Sequence, residues 1–415
     1  MGRTGRKRAK YLHQRPQPLD HQENAINLRK FMTRNGFHDP ISLKLRNFPD
    51  TGRGVATPRS LKASDVLITV PYELMITYTT LKKSNFLHLF APQSRLSILD
   101  LLAAFLVVER GKETSFWKDY IKSLPPQPPW IPALLSQDRV ELLPVDLRLA
   151  AKKSRRLLEE SWSRVRKSIR EASCVIDLHS FIWGYVLVNT RAVYVNPRIV
   201  RKLCDCQSDI LSDEPCMALC PFLDMFNHSH EAKTEAKLIN ENGKLVYQLT
   251  TLGKTKKHEQ VFISYGDHDN IKLLVEYGFF IPGNSNDSIP IQSEEVFQVL
   301  GLNLDDFQYK FIRSHELDKS LCISEAGVSF NLKAFLFVAF GTTDLKHLTS
   351  VIYNDDYPKK FLEHYLVQLC LRLLQFHLKE LEKILQNSGL DPHIIDFLEY
   401  RKLLIQKLCD LVNKQ

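Results

Sequence analysis

The sequence predicts an α+β protein in which short β-sheets are interrupted by a helical insertion and followed by an all-α C-terminal lobe. Three observations carry that expectation. Short alternating apolar segments cluster between Ile41 and Val70 and return between Lys237 and Ser264. Between them, residues 96–122, 146–172 and 178–189 place apolar side chains at helical spacing. Beyond Gly283 the pattern is mostly helical, with a long run from Pro358 to Asn387 and a last helix from Asp391-Pro392 to about Val412.

The elements follow in order. Residues 1–22 are polar, basic and Pro-containing, and are expected to be a disordered tail. A short amphipathic helix follows over 24–36, with Ile26, Leu28, Phe31 and Met32 on one face and Gly36 closing it. Ile41, Leu43 and Leu45 alternate with polar residues as on a half-buried strand. Pro49 to Gly54 forms a turn with two glycines, and Val55–Thr57 and Val66–Val70 are further short strands, the second ended by Pro71. Leu99, Leu102, Ala103, Leu106 and Val107 mark the first helix of the insertion. Leu147, Leu149, Leu157, Leu158, Trp162, Val165 and Ile169 mark a long basic one. Phe361, Tyr365, Leu369, Leu373, Phe376 and Leu381 form the apolar stripe of the 358–387 helix.

Composition bounds the function. At roughly 150 residues per domain, 415 residues make two or three domains. With 44% hydrophobic and 25% charged residues the composition is globular. No apolar run reaches the ~18 residues of a membrane span, and no apolar signal region opens the chain. Arg6 stands where a myristoylation motif needs Ser or Thr. The eight cysteines are therefore expected as reduced thiols. Walker loop, Gly-rich dinucleotide fingerprint and His-Glu-x-x-His helix are all missing, which removes most support for kinase, dehydrogenase or zinc-protease chemistry. The net charge is +9, and Arg3, Arg6, Lys7, Arg8 and Lys10 crowd the first ten residues. They read either as a nucleic-acid anchor or nuclear address, or as a solvated tail.

Three clusters carry chemistry. Gly52-Arg53-Gly54-Val55-Ala56 is either a plain hairpin turn or a loop whose glycines let the backbone approach a ligand. Pro221-Phe222-Leu223-Asp224-Met225-Phe226-Asn227-His228-Ser229 sets polar residues beside an apolar run, as in a satisfied turn or a site. Ser264-Tyr265-Gly266 and Glu276-Tyr277-Gly278-Phe279 hold tyrosines that either pack at strand ends or face a substrate.

Together and in this order, the three clusters resemble the SET-domain family of lysine methyltransferases, whose two signature segments match Asn-His-Ser and Ser-Tyr-Gly and form a pseudoknot. With Asn189-Thr190-Arg191-Ala192-Val193 and Tyr277-Gly278-Phe279 added, the chain is similar to the plant Rubisco large-subunit methyltransferase class over about residues 30–400. That resemblance implies a SET domain at 23–282 with a helical insertion at about 96–180, and a helical substrate-binding lobe at 283–415. It implies S-adenosyl-L-methionine as cofactor and a protein lysine, on histone or non-histone proteins, as acceptor. By position, it sets Arg53 and Gly54 along the cofactor with Arg191 and Asp224 near it, although the last two could instead brace the fold. Asn227 and His228 would hold the cofactor's amino-acid and adenine portions. Tyr265 would be the active-site tyrosine against the transferring methyl, with Tyr277 and Val193 lining the lysine channel.

These residue types suit in-line methyl transfer from a sulfonium to an amine. Positioning can supply up to ~7–11 kcal/mol. A lysine of pKa near ~10.4 costs about 4 kcal/mol to deprotonate near pH 7.4, and a narrow channel that desolvates the ammonium lowers that cost. Tyr265 then acts by orientation and electrostatics rather than as an obligate base. No metal is required. Cys204-x-Cys206 and Cys216-x-x-x-Cys220 could supply four thiolates, but their spacing fits no defensible zinc signature. Val193 replaces the aromatic residue of the plant enzymes and the polar one of a histidine-methylating relative. That argues mildly against histidine as acceptor and leaves room for multiple methylation. Two alternatives stay open: a protein-histidine methyltransferase, and a weakly active SET module that binds partners. The basic 146–172 helix either engages acidic partners or is a solvated face. Chromatin association and residence in nucleus and cytosol are compatible with the basic terminus.

Overall fold

The structure is a computed structural model that describes residues 16–170, 176–204, 210–340 and 348–414. The basic cluster Arg3–Lys10, Cys174 and Cys206 lie outside the described residues. The chain forms two compact units, one of Met1–Trp130 and Ser154–Asp267, the other of Ile131–Lys153 and His268–Gln415. The cut falls at Asp267/His268 rather than at 282/283, and part of the insertion, Ile131–Lys153, packs with the second unit. Sequence order does not reveal which neighbour a segment packs on.

The first unit opens with β1 (Gln17–Pro18), β2 (Lys44–Phe48), β3 (Gly52–Ala56) and β4 (Val66–Pro71). After the insertion come β5 (Ala192–Tyr194), β6 (Met217–Leu219), β7 (Asn227–His228), β8 (Thr234–Glu241), β9 (Lys244–Thr251) and β10 (Gln260–Ile263). They make a five-stranded sheet in the order β1-β2-β3-β10-β7, a three-stranded sheet β4-β9-β8 and a pair β5-β6. Contrary to a disordered tail reaching residue 22, β1 pairs with β2, and Asp20 accepts the Leu45 N–H.

Every neighbour in the large sheet is antiparallel except β10 and β7, which run parallel with Phe262 opposite Asn227 and Ile263 opposite His228. The β8–β9 hairpin lies between those two strands in sequence. The Asn-His-Ser segment is thereby brought alongside the strand that leads into Ser-Tyr-Gly.

In the insertion, the helices Ile98–Gly111 and Leu178–Arg191 pack closely enough that a Cβ on Gly184 would meet the Ala103 carbonyl oxygen at 2.5 Å. A buried Asp100 caps the first helix through Ser97. It also takes two hydrogen bonds from Arg164 at 2.7 and 3.0 Å and one from Ser161, tying in the helix Val145–Ser168. The bidentate guanidinium compensates a carboxylate that burial would otherwise penalise.

The second unit is mostly helical, including Ser293–Leu300, Asp306–Ser314, Phe330–Phe340, Val367–Leu385 and Pro392–Val412. It is not all-α, because β11 (Ser288–Ile291), β12 (Leu321–Ser324) and β13 (Gly327–Val328) form a small antiparallel sheet. Strands of two to four residues are too short to leave a readable alternation in the sequence. No helix of the described residues is long and apolar enough to cross a membrane.

Candidate active site

The site is built where β7 and β10 end side by side. His228 is 4% exposed, and its Nδ1 accepts the Tyr265 backbone N–H at 3.1 Å. That bond sets the neutral ring's tautomer, with the proton on Nε2. The two rings stack, with centroids 5.1 Å apart and planes 24° from parallel. The Tyr265 hydroxyl donates to the Phe226 carbonyl at 2.7 Å. A phenol held by its own backbone amide, a stacked imidazole and a carbonyl has little rotamer freedom left.

Phe226 is positioned by a strained turn. Phe222 has φ +72° and ψ −41°, a conformation costing about 1–3 kcal/mol for a residue with a side chain. Its ring is 1% exposed, with the Phe37 ring at 5.0 Å and the Arg29 guanidinium 5.0 Å from its centroid. Burial of the ring offsets the strain and steers Asp224, two residues on, inward.

Asp224 anchors a charged cluster. Its side chain is fully buried, and Oδ2 accepts from the Tyr120 hydroxyl at 2.9 Å. Arg191, at the end of the helix Leu178–Arg191, donates from Nη1 to the Asp224 carbonyl oxygen at 2.8 Å and stands 3.6 Å from Oδ2. Arg53 joins through the field of these groups, while its Nη1 donates to the Ser123 carbonyl at 2.6 Å. Burial raises the Asp224 carboxyl, with Arg191, Tyr120 and Arg53 opposing it. Burial also lowers Arg53 to about 10, helped by the like charge of Arg191 and opposed by Asp224 and Tyr120. Burial and Asp224 push the Tyr120 phenol well up. The cluster therefore sets two guanidinium groups, Arg53 and Arg191, around one buried acid, Asp224. Arg191 Nε and Asp224 Oδ1 are buried without a hydrogen-bond partner.

Gly54 closes the loop over the strands. A Cβ there would lie 2.8 Å from Asn227 Nδ2 and still nearer Gln260 Nε2, so a side chain at this position would have to displace both amides. Asn227 Nδ2 donates to the Arg53 carbonyl at 3.0 Å and to that of Thr51 at 3.3 Å. The Asn227 amide thus braces the Gly-Arg-Gly loop, and the His228 ring braces Tyr265.

The sequence-derived residues Arg53, Gly54, Arg191, Asp224, Asn227, His228 and Tyr265 all fall in the first unit, Arg191 at the end of the helix Leu178–Arg191 and the others on β3, β7 and the turns beside β7 and β10. Val193 lies half-buried on β5, opposite Ala218. Tyr277 belongs to the second unit, on a wide helical turn over Leu273–Tyr277. It stacks on His268 at 5.9 Å, and burial, with Glu276 adding, pushes its phenol up to about 12. Tyr120, Ser123 and Gln260 escaped the sequence reading. Tyr120 sits in an ordinary Lys-Asp-Tyr-Ile turn 104 positions from its Asp224 partner, and nothing local marks it. No group of three or more potential metal ligands occurs among the described residues.

Residues 52–266 match the SET domain family, a span bounded by Gly52 and Gly266 themselves. The chain is 31% identical to SET domain-containing protein 4 of Artemia parthenogenetica over 92% of its own length and 96% of the relative's. It is 25% identical to the actin-histidine N-methyltransferase of Gallus gallus over 63% of its own length and 43% of that protein. Among solved structures, the SET domain of LSMT bound to lysine and AdoHcy aligns with a TM-score of 0.64 and 17% identity, covering 95% of this chain and 92% of the other. Matched over more than half its length, with both signature segments paired in parallel, the chain belongs to the SET-domain family of methyltransferases.

Proposed function

We propose that this protein is a protein-lysine N-methyltransferase using S-adenosyl-L-methionine. The observation that carries the reading is the Tyr265 phenol, held by Phe226 and His228 at the junction of the two signature strands.

The residues around that junction suit the cofactor. The surplus guanidinium charge of Arg53 and Arg191 over Asp224 favours a carboxylate, and the unpartnered buried Arg191 Nε is a donor without an acceptor. Arg53, although lowered to about 10, stays charged at neutral pH. S-adenosyl-L-methionine, when bound, supplies a methyl group on a cationic sulfonium.

The chain supplies position and field. Because the Tyr265 O–H is spent on the Phe226 carbonyl, its oxygen can accept weak C–H contacts from a polarised methyl without taking a proton. The bracing of Tyr265 by His228, and of the Gly-Arg-Gly loop by Asn227, fixes that oxygen before substrate arrives, which is where alignment gains its effect. Lysine must arrive neutral, so the acceptor site works by desolvation.

Lysine is favoured over histidine by the aliphatic Val193. The likeness to an actin-histidine N-methyltransferase keeps histidine as the second reading. The substrate class we propose is protein, histone or non-histone, consistent with a basic chain acting in nucleus and cytosol.

The test is transfer of label from S-adenosyl-L-methionine to core histones, nucleosomes and cell lysate, with amino-acid analysis of the product. Label on lysine that collapses in Tyr265→Phe supports the proposal. Label on histidine replaces lysine as acceptor. Absence of label although the cofactor binds would favour a partner-binding module. If only monomethyl-lysine forms at steady state, the roomier pocket inferred from Val193 is wrong.

A further inference from the structure

The second unit holds a cavity that methyl transfer does not use. It has a volume of about 410 Å³, within the range of small-molecule sites. Its walls come from the start of the helix Val145–Ser168, from Ser293–Leu300, and from the two long C-terminal helices. One side is apolar, with Leu142, Pro290, Phe376, Leu381 and Ile384.

The other side carries polar groups with unused capacity. Arg401 is 4% exposed and donates from Nη2 to Asp146, whose other oxygen takes the Leu147 N–H at 2.8 Å. Arg401 Nη1 is buried with no hydrogen-bond partner. His377 Nε2 is likewise buried and unbonded, standing 3.2 Å from Glu295 Oε2 but out of line for a hydrogen bond. The acids of the wall are engaged elsewhere. Glu295 takes the Gln292 N–H at 2.8 Å, Glu380 takes Lys383 at 2.6 Å, and Glu141 takes Lys152 at 2.6 Å. What remains at the buried end is therefore donor capacity.

Charge does not call for an anion. Glu141, Asp146, Glu295 and Glu380 are balanced by Arg148, Lys383, Arg401 and the Lys152 that pairs Glu141, so an added anion would meet no net positive charge. A neutral acceptor satisfies the stranded guanidinium N–H without disturbing that balance. We propose that this cavity binds a neutral amphipathic ligand whose amide-type carbonyl accepts from Arg401 and His377 and whose apolar body lies on Phe376, Leu381 and Ile384. Such a carbonyl is carried by a free small molecule or by a peptide segment. The site stands independently of the reaction proposed above.

The test is a methyl-resolved NMR titration of the full chain. Three probes are used: N-acetyl-leucine N-methylamide, its carboxylate counterpart N-acetyl-leucine, and the capped tripeptide acetyl-Ala-Leu-Ala-N-methylamide. The expected result is saturable shifts of the Ile384 and Leu381 methyls with the neutral amide. His377→Leu should weaken binding at least fivefold, and the cavity-filling Ile384→Phe should abolish the Leu381 shift. Arg401 is left in place because its loss would strand the buried Asp146; melting curves verify that both variants fold. If one variant does not fold, the other still reads the site. Equal affinity for amide and tripeptide supports the site with a free small molecule as its ligand, and tighter tripeptide binding supports it with a peptide segment. Tighter binding of the carboxylate overturns the neutral class. No saturable shift, or affinities unchanged in the folded variants, overturns the site.

Discussion

The Tyr265 hydroxyl donates to the Phe226 carbonyl, while its ring and backbone are held by His228. Tyr265→Phe therefore keeps the stack and the backbone bond and loses one hydrogen bond worth about 1 kcal/mol of stability. Its cost should appear in turnover, at about 10²-fold or more if the oxygen faces developing charge. Single-turnover kinetics beside a melting curve separates the two effects. Asp224 makes a pH prediction. Burial raises its carboxyl above the ordinary 3.8 despite Arg191, Tyr120 and Arg53. The native state then holds this proton more tightly than the unfolded chain. Stability from this group is full below 3.8 and is lost as pH rises through the raised value. Asp224→Asn should remove that falling slope, as read by urea unfolding at a series of pH values. An unchanged slope would show that the carboxyl does not titrate in this window. Arg191 and Asp224 were ambiguous as sequence. Their geometry makes them one buried unit, because a carboxylate with no exposed area must be compensated nearby.

At the scale of elements, the Asn-His-Ser and Ser-Tyr-Gly segments were legible because each is an unusual run of polar and aromatic residues beside an apolar stretch. Their parallel pairing was not legible from spacing, since the β8–β9 hairpin lies between Asn227 and its partner Phe262 in sequence. The short helix Lys118–Ser123 shows the same limit. It falls in the stretch 96–122 that the sequence marks as helical, but its delivery of the Tyr120 hydroxyl and the Ser123 carbonyl to Asp224 and Arg53 depends on packing. Tyr120→Phe should cost about 1.5–3 kcal/mol, the range for hydrogen bonds to charged groups, and should weaken cofactor affinity through the loosened cluster. Chemical denaturation and calorimetric cofactor titration check both parts, and intact affinity would reduce Tyr120 to a structural prop. Gly54→Ala should displace the Asn227 and Gln260 side-chain amides and so loosen the hold of Asn227 on the Gly-Arg-Gly loop. We expect lower cofactor affinity with a modest loss of stability.

At the scale of the molecule, the second unit depends on a buried polar knot. Asn270 is fully buried, bonds Asp287 at 2.9 Å and the Ile281 carbonyl at 2.9 Å, and the Tyr400 hydroxyl reaches Asp287 at 2.9 Å. Asn270→Ala strands those partners and should cost at least about 1–3 kcal/mol. Hydrogen exchange should show the loss of protection concentrated in residues 268–415. Uniform loss would mean that the two units unfold as one. By itself, the sequence determined the helical periodicity of the insertion and of the long C-terminal stretches, the strands near Val55–Ala56, Val66–Val70 and Gln260–Ile263, and the segments that carry the family resemblance. All of these are encoded within a few residues, where backbone preference and apolar spacing act. Tertiary structure alone decided that Ile131–Lys153 packs with the C-terminal unit, that Tyr120 serves Asp224, and that Arg401 pairs with Asp146 across 255 positions. Burial is what makes these partners necessary. A charge or hydroxyl needs a specific mate only once water is excluded, and which groups are excluded together depends on the whole packed chain.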